Sequence, residues 1–503
     1  MPLICNIIAI KGGKMYSLEA IIIVVTILMM FCVVATKYST RFGVPILILF
    51  IGVGIMLGSE GIYGVYFDNP SLTRHIGNIA LCFIIFSGGL DLRWKVAKQF
   101  LGRGILLSTV GVFLTAAFVG IFAYLFIDMK LLEGFLLGAV VSSTDAASVF
   151  AILRARKMKT KGILSPLLEF ESASNDPMAY MLTITVIGLI NNPQEGVYSY
   201  IISFFIQFVI GIALGVLIGF ASVQLFNRIH HSVESMYLVL GITMMLFAYS
   251  VSTITGGNGF LTVYIAGMII GNSSFIRKTQ IIRFFDGQSW IAQIILFVTL
   301  GLQVFPSRFM ALSGKAIIIS IALIFIIRPL ATIPILSMFK TPFKQQLFIS
   351  FVGFRGAASI VFATYPLTAG IPVAQDIFDM VFFIALTSLM IQGTLLRPVA
   401  KVLGVLEEKS DNFEMQNIHN YVDEISDLPL LGVYVSKDSP AIGKNIAELE
   451  LPDEIRIVAI RQTEDYISPK GNTIIREGDR MLITSISEDS VKSVCDKFKF
   501  ETS

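Results

Sequence analysis

From residue 18 to about residue 405 the chain alternates between long apolar runs and short polar breaks. Each run is roughly 17 to 25 residues long, the length an α-helix needs to cross a bilayer. The runs fall near 18–36, 43–58, 75–90, 104–127, 132–153, 164–190, 199–226, 233–254, 257–272, 288–304, 314–338, 345–367 and 377–397, and they predict about thirteen membrane spans. Past Leu406 the pattern changes. The stretch "EEKSDNFEMQNIHNYVDEISD" is polar and acidic and reads as a linker over 406–427. Short β-rich runs ("LLGVYV", "IRIVAIRQ", "RMLITSI") then predict a small soluble α+β domain over 428–500. Residues 1–17 are a tail in which "MPLICNIIAI" is too short to span and lacks a small-residue cleavage site, so it makes a poor signal peptide. Gly12-Gly13-Lys14 reads as a translated ribosome-binding stretch, with Met15 as the expected start.

Composition agrees with this pattern: 55% hydrophobic, 15% charged and a mean hydropathy of +0.77 describe a polytopic membrane protein, not an aqueous globule. Charge adds an orientation. Alternate loops hold about nineteen Lys and Arg, among them Arg93, Lys95, Lys98 and Arg103, against about four on the other side, such as Arg74 and Lys130. The positive-inside rule then puts the amino terminus outside and the carboxyl terminus in the cytoplasm of a cell membrane, although Lys11 and Lys14 oppose this mildly. The net charge of +3 is explained by topology, and no nucleic-acid partner is implied. Cys5, Cys32, Cys82 and Cys495 have no metal-site or disulfide spacing and read as packing residues, and no cofactor or resident metal is expected.

Against so apolar a background, ionisable residues inside the spans stand out. A carboxylate at the bilayer centre costs about 2.5 to 3.5 kcal/mol on insertion scales, which makes it a functional candidate by default. Asp145, Glu171, Asp176, Arg328 and Arg355 all qualify. Pro177 has no N–H and disfavours helical torsions at Asp176, so the helix is expected to loosen there. Ser172 and Asp176 are four apart and share a helical face, where their oxygens can converge on one cation. "SSTDAAS" at 142–148 offers the same chemistry on the preceding span. A desolvated Asp176 can hold a proton or a cation but hardly both, and competition for one site plus alternating access suffices for exchange. Plainer roles stand beside these: Glu171 with Arg328 as a structural buried pair, Asp145 as a helix cap, and Arg355 as a neutraliser of polar ends at an interruption of the twelfth span. "AASVFA" at 146–151 and "AASIVFA" at 357–363 also look like weak internal copies, as expected for inverted repeats whose interrupted helices meet at a binding site.

"SSTDAASVF", "ESASNDPMA", "GNGFLTVYIAGMIIGN", "FVTLGLQVFPS" and "GFRGAASIVFA", in that order, resemble the NhaP-like potassium/proton antiporters of the monovalent cation:proton antiporter superfamily. The resemblance implies a 13-span inverted-repeat fold, usually dimeric, with a dimerisation part and a core part that move against each other. It also implies that Asn175 and Asp176 form the ion and proton site, that Thr144, Asp145 and Ser172 contribute oxygens, and that Glu171 pairs with Arg328. Asn at 175, where electrogenic relatives carry a second Asp, implies electroneutral one-for-one exchange of K+, or Na+, for H+. Ser87 in "FSGGL" departs from the acid that relatives tend to have there.

The region 428–500 resembles the TrkA-C domain, with Gly443-Lys444 and Gly478-Asp479 as its signature. That resemblance implies a regulatory role. In some relatives such domains bind cyclic di-AMP, for which Lys444 and Arg461 are the candidate phosphate donors. A TrkA-C-gated potassium channel is the competing reading, but it needs a filter such as TVGYG, and an intramembrane aspartyl protease needs YD and GxGD; the sequence contains none of these.

Overall fold

In the computed structural model the described residues are 46–406 and 430–502, with short breaks of which the longest are 230–234 and 486–493, plus two isolated positions before 46. The tail, the expected start at Met15, the first expected span at 18–36 and nearly all of the acidic linker lie outside them. The count of thirteen spans therefore remains an expectation. The chain divides into two compact units, Met1–Glu407 and Glu408–Ser503, each described by itself.

In the first unit the helices are α1 (Ile46–Leu57), α2 (Pro70–Asp91), α3 (Leu101–Phe126), α4 (Leu131–Val141), α5 (Ala146–Ala155), α6 (Leu164–Asn191), α7 (Val197–Arg228), α8 (Ser235–Ile254), α9 (Gly259–Asn272), α10 (Lys278–Leu302), α11 (Pro306–Ala322), α12 (Arg328–Met338), α13 (Phe343–Phe351), α14 (Ala357–Thr368) and α15 (Ala374–Val402). A π-turn, Leu323–Ile327, joins α11 to α12. Seven of the described helical stretches are long and apolar enough to cross a membrane, and shorter apolar helices fill the gaps between them. Local chemistry sets several of the starts. Asn69 accepts from the Leu72 amide, with Pro70 in the first turn of α2, and Asn258 accepts from the Leu261 amide at the start of α9.

These helices fall into two groups that pack chiefly among themselves: α1, α2 and α7 to α10 in one, and α3 to α6 with α11 to α15 in the other. Small residues bring helices of the first group close. A Cβ at Gly54 or Gly301 would lie 2.3 or 2.5 Å from the opposite backbone, and one at Gly89 or Gly267 would lie 2.7 or 2.8 Å from it, so α1 meets α10 and α2 meets α9 backbone to backbone. Where the two groups meet, α2 touches α14 and α6 touches α7 and α9.

Within the second group, two spans are broken as the small polar segments predict. One breaks at Ser142–Asp145, between α4 and α5; the other breaks at Val352–Gly356, between α13 and α14. The breaks cross each other: the Asp145 amide donates to the Phe354 carbonyl at 2.8 Å, and the Ser359 hydroxyl donates to the Ser143 carbonyl at 3.3 Å. Gly356 makes the crossing possible, since a Cβ there would sit 2.3 Å from a carboxylate oxygen of Asp145. The expected loosening of α6 at Asp176 is not seen. The helix runs through Pro177 without a break, because the crossing segment bonds to the Ser172, Asn175 and Asp176 side chains just before the proline and Asn258 bonds to the Pro177 carbonyl, a tolerance common for proline in packed membrane helices.

The second unit holds a five-stranded antiparallel sheet in the order β3-β2-β4-β1-β5, with β1 Leu430–Val435, β2 Ile455–Gln462, β3 Asp465–Ile467, β4 Arg480–Ser485 and β5 Phe500–Thr502. Its two signature glycines sit at positive φ, Gly443 at 82° and Gly478 at 84°, conformations that a side chain would strain. Asp479, buried, accepts from the Arg476 amide at 2.8 Å and from the Gln462 side chain at 2.7 Å, which pins the turn into β4.

Candidate functional site

At the crossing the structure gathers side chains from α6 and from the break before α5. Asp176, 8% exposed, accepts a hydrogen bond from the Ser143 hydroxyl. The Ser172 hydroxyl donates to the Thr144 carbonyl at 2.8 Å and accepts from the Ala146 amide at 2.9 Å, tying α6 to the unwound backbone. Asn175 is fully buried and used at both ends of its amide. Its oxygen accepts from the Thr144 amide at 3.3 Å, and its nitrogen donates to Thr144 Oγ1 at 2.5 Å and to Glu171 Oε1 at 3.1 Å. Five of the residues picked out in the sequence, Thr144, Asp145, Ser172, Asn175 and Asp176, therefore lie together.

Glu171 and Arg328 meet at 2.6 Å, at 2% and 1% exposure, where a carboxylate and a guanidinium must neutralise each other. The same oxygen, Glu171 Oε1, also accepts from Asn175 and, at 3.5 Å, from Thr144. The pair is thus wired into the ion-site candidates instead of standing apart from them. Asp145 caps α5: its carboxylate accepts from the Ser148 amide at 3.2 Å and from the Ser148 hydroxyl at 2.5 Å. It also lines the cavity described below, so capping and facing the cavity coexist.

Arg355 is fully buried in the second break. Its guanidinium donates to the carbonyls of Val141 and Ser143, while its amide donates to the Ser388 hydroxyl at 3.0 Å. It neutralises polar ends, but those of the fifth span, at the C-terminus of α4, and not those of its own twelfth span. A cation there meets the negative end of the half-helix dipole.

Between the two helix groups lies a cavity of about 200 Å³. Thr144, Asp145, Ser172 and Asp176 line one wall; Ser87, Tyr264, Ser289 and Gln293 line the facing one. Exposed Asp91, Glu169 and Asp286 stand at its edge, at the end where Asp91 leads into the basic Arg93–Arg103 segment. Sequence reasoning singled out Ser87 only as a departure and passed over Ser143, Tyr264, Ser289 and Gln293. A signal existed: Asp286, Ser289 and Gln293 recur at helical spacing within an apolar span, one polar stripe on one face. Ser143 was visible only as part of its motif, since nothing in the order of hydroxyls in "SSTD" says which one turns toward α6.

Lys444 and Arg461 lie in the second unit on separate elements. Lys444 is exposed in the loop before the 3₁₀ turn Ile446–Leu449, and Arg461 is on β2, opposite Tyr466 and Arg480.

Two broken helices crossing beside a buried carboxylate, at the foot of a cavity between two helix groups, are the arrangement of a membrane transporter. The chain belongs to the family described as sodium/hydrogen exchanger, transmembrane, which it matches over residues 24–402, and it carries a TrkA-C domain over 430–499. It is 34% identical over 472 residues to the K(+)/H(+) antiporter NhaP of Alkalimonas amylolytica, covering 93% of this chain and 82% of that one. It is 33% identical over 486 residues to the K(+)/H(+) antiporter NhaP2 of Shewanella sp. (strain ANA-3), covering 96% and 84%. The Na(+)/H(+) antiporter ApNhaP of Aphanothece halophytica is 28% identical over 414 residues, covering 78% and 76%. In fold it is similar to the sodium proton antiporter MjNhaP1 of Methanocaldococcus jannaschii, with a TM-score of 0.66 at 22% identity over 78% of this chain and 100% of that one.

Proposed function

We propose that the protein exchanges K+ for H+ across the cytoplasmic membrane by alternating access, with Asp176 as the group for which cation and proton compete. The observation that carries this reading is the contrast between two buried carboxylates five residues apart. Glu171 is matched by a guanidinium at 2.6 Å, whereas Asp176 accepts from a neutral hydroxyl and faces the cavity. Asp176 is therefore the one whose charge a proton or a desolvated cation must balance. The Ser143 hydroxyl, bonded to Asp176, and the oxygens of Thr144, Asp145 and Ser172, which line the same cavity, are the groups that would complete a cation's shell. K+ is preferred over Na+ because the relatives named for K+ are the more similar over more of the chain. The test is a flux assay in everted vesicles across K+, Na+ and pH. Proton movement driven by neither cation would sink the reading.

The stoichiometry follows from Asn175. Its amide nitrogen donates to Glu171 Oε1 at 3.1 Å, and a carboxylate placed there would oppose another carboxylate. One titrating group then moves one proton against one cation, and no net charge crosses. An imposed membrane potential, set with a gradient of a lipophilic ion, is expected to change neither the rate nor the direction of exchange. A flux that follows the potential would refute one-for-one exchange.

The remaining parts of the proposal concern assembly and control. The protein is taken as a homodimer with its amino terminus outside and its carboxyl terminus in the cytoplasm. Residues 18–405 form the exchanger, 406–427 the linker and 428–500 a regulatory domain that could take a nucleotide through Lys444 or Arg461. Deleting the residues after 406 is expected to alter the pH or ligand dependence of exchange and to leave Asp176-dependent transport in place, as measured in the same vesicles. Loss of all transport from a folded, dimeric membrane part would make the tail part of the transport machinery instead.

A further inference from the structure

The end of the membrane unit opposite the cavity mouth is built in the opposite way. Tyr180 sits one turn beyond Asp176, and its ring packs against Phe260 at 5.1 Å, Tyr365 at 5.3 Å and Phe362 at 6.0 Å. Phe260 comes from α9, in one helix group; Tyr180, Phe362 and Tyr365 come from α6 and α14, in the other. Beyond this aromatic layer the two groups are joined by side-chain hydrogen bonds. The Tyr365 hydroxyl donates to Asn78 Oδ1 at 2.8 Å, and Arg74 donates to the Thr368 hydroxyl at 2.8 Å with its guanidinium 5.4 Å over the Tyr365 ring. Asn258, fully buried at the start of α9, donates to the Pro177 carbonyl at 2.8 Å, directly after Asp176. On the side of the cavity, by contrast, the facing walls stand apart around Asp176.

We propose that Arg74–Thr368, Asn78–Tyr365 and Asn258–Pro177 form a latch that holds the two helix groups together at the end away from the cavity. All three bonds must open before Asp176 can face that end. The proposal rests on the antiport reading and names which contacts set the balance between the two faces. Asn258 is the coupling member. Its acceptor is the carbonyl of the residue that follows Asp176, so a shift of α6 on loading or unloading the carboxylate reaches the latch within one residue. The other two bonds lie on α2 and α14, where the groups touch most closely, and they make separation cooperative. Opening wets the freed groups, so each bond shifts the balance by the net worth of one hydrogen bond, about fivefold in population. The three together are worth on the order of a hundredfold.

The test measures the distance between spin labels at Thr255→Cys and Asp376→Cys, two exposed positions at the latched end, one on each helix group. It uses the full chain in lipid with its native cysteines replaced, and no ion gradient. The latch variants remove single partners and little else: Tyr365→Phe loses the hydroxyl, Thr368→Val loses the acceptor, and Asn258→Ser keeps a helix cap but is too short to reach Pro177. The parent should show one dominant short distance. Each single variant should raise the ratio of a longer distance about fivefold, and the triple far more. Unchanged distributions in all variants that remain monodisperse would overturn the latch, and the Tyr365→Phe and Thr368→Val singles decide if the triple does not fold. Because no gradient is used, a protein that opens as expected but exchanges no cation fails the antiport reading and keeps the latch. Exchange with unmoved distances does the reverse.

Discussion

Asp176→Asn is expected to reduce cation-driven proton flux to the level of vesicles without the protein, while the folded protein remains in the membrane at normal yield. The substitution keeps shape. An asparagine oxygen can still accept from Ser143, so the tie between α6 and the broken span survives, and stability should change by no more than about 1 kcal/mol, the net worth of a typical hydrogen bond. What is lost is the only titrating group of the Asn175–Asp176 pair, since Asn175 carries a neutral amide. Glu171 cannot take over, since it is held by Arg328 at 2.6 Å and shares the same oxygen with Asn175 and Thr144. Normal flux in this variant, measured by a pH-sensitive dye on addition of K+ or Na+, would move the exchange site away from Asp176.

The membrane character of the chain and the seven helices of spanning length among the described residues could be read from run length alone, because in a bilayer hydropathy and helix length are tied by one dimension. The broken segments were legible too: "SSTDAAS" and "GFRGAAS" are too polar and too small-sided to be continuous apolar helices, and both are broken in the structure. Two things were not legible. Proline chemistry argued for a loosened α6, but tertiary bonds from Ser172, Asn175 and Asp176 to the crossing segment keep it helical. And the partner of a buried arginine cannot be read from its own span. Arg355 bonds to carbonyls some two hundred residues earlier in the chain, so its service to α4 appears only when the two breaks are seen to cross.

The second large effect is one of stability and is asymmetric. Glu171→Ala removes the carboxylate opposite a guanidinium that is 1% exposed, and arginine cannot shed its proton to escape the cost. Arg328 is already under-served, since its Nε and Nη1 have no hydrogen-bond partner in the structure. A loss of about 3 to 5 kcal/mol is expected, the range for breaking a buried pair by removing one partner. Arg328→Ala should cost less. The stranded Glu171 keeps hydrogen bonds from Asn175 at 3.1 Å and Thr144 at 3.5 Å, whereas a stranded Arg328 has no such partners among the described residues to fall back on. The double variant should be more stable than Glu171→Ala alone, because it removes the charge that cannot be neutralised. Thermal melting of the purified protein in detergent reads all three, and flux at a permissive temperature reads the coupling to Asn175, which loses an acceptor only when Glu171 is the residue removed. If Arg328→Ala melts lower than Glu171→Ala, the carboxylate and not the guanidinium is the costlier group to strand, and the division of roles between Glu171 and Asp176 fails with it.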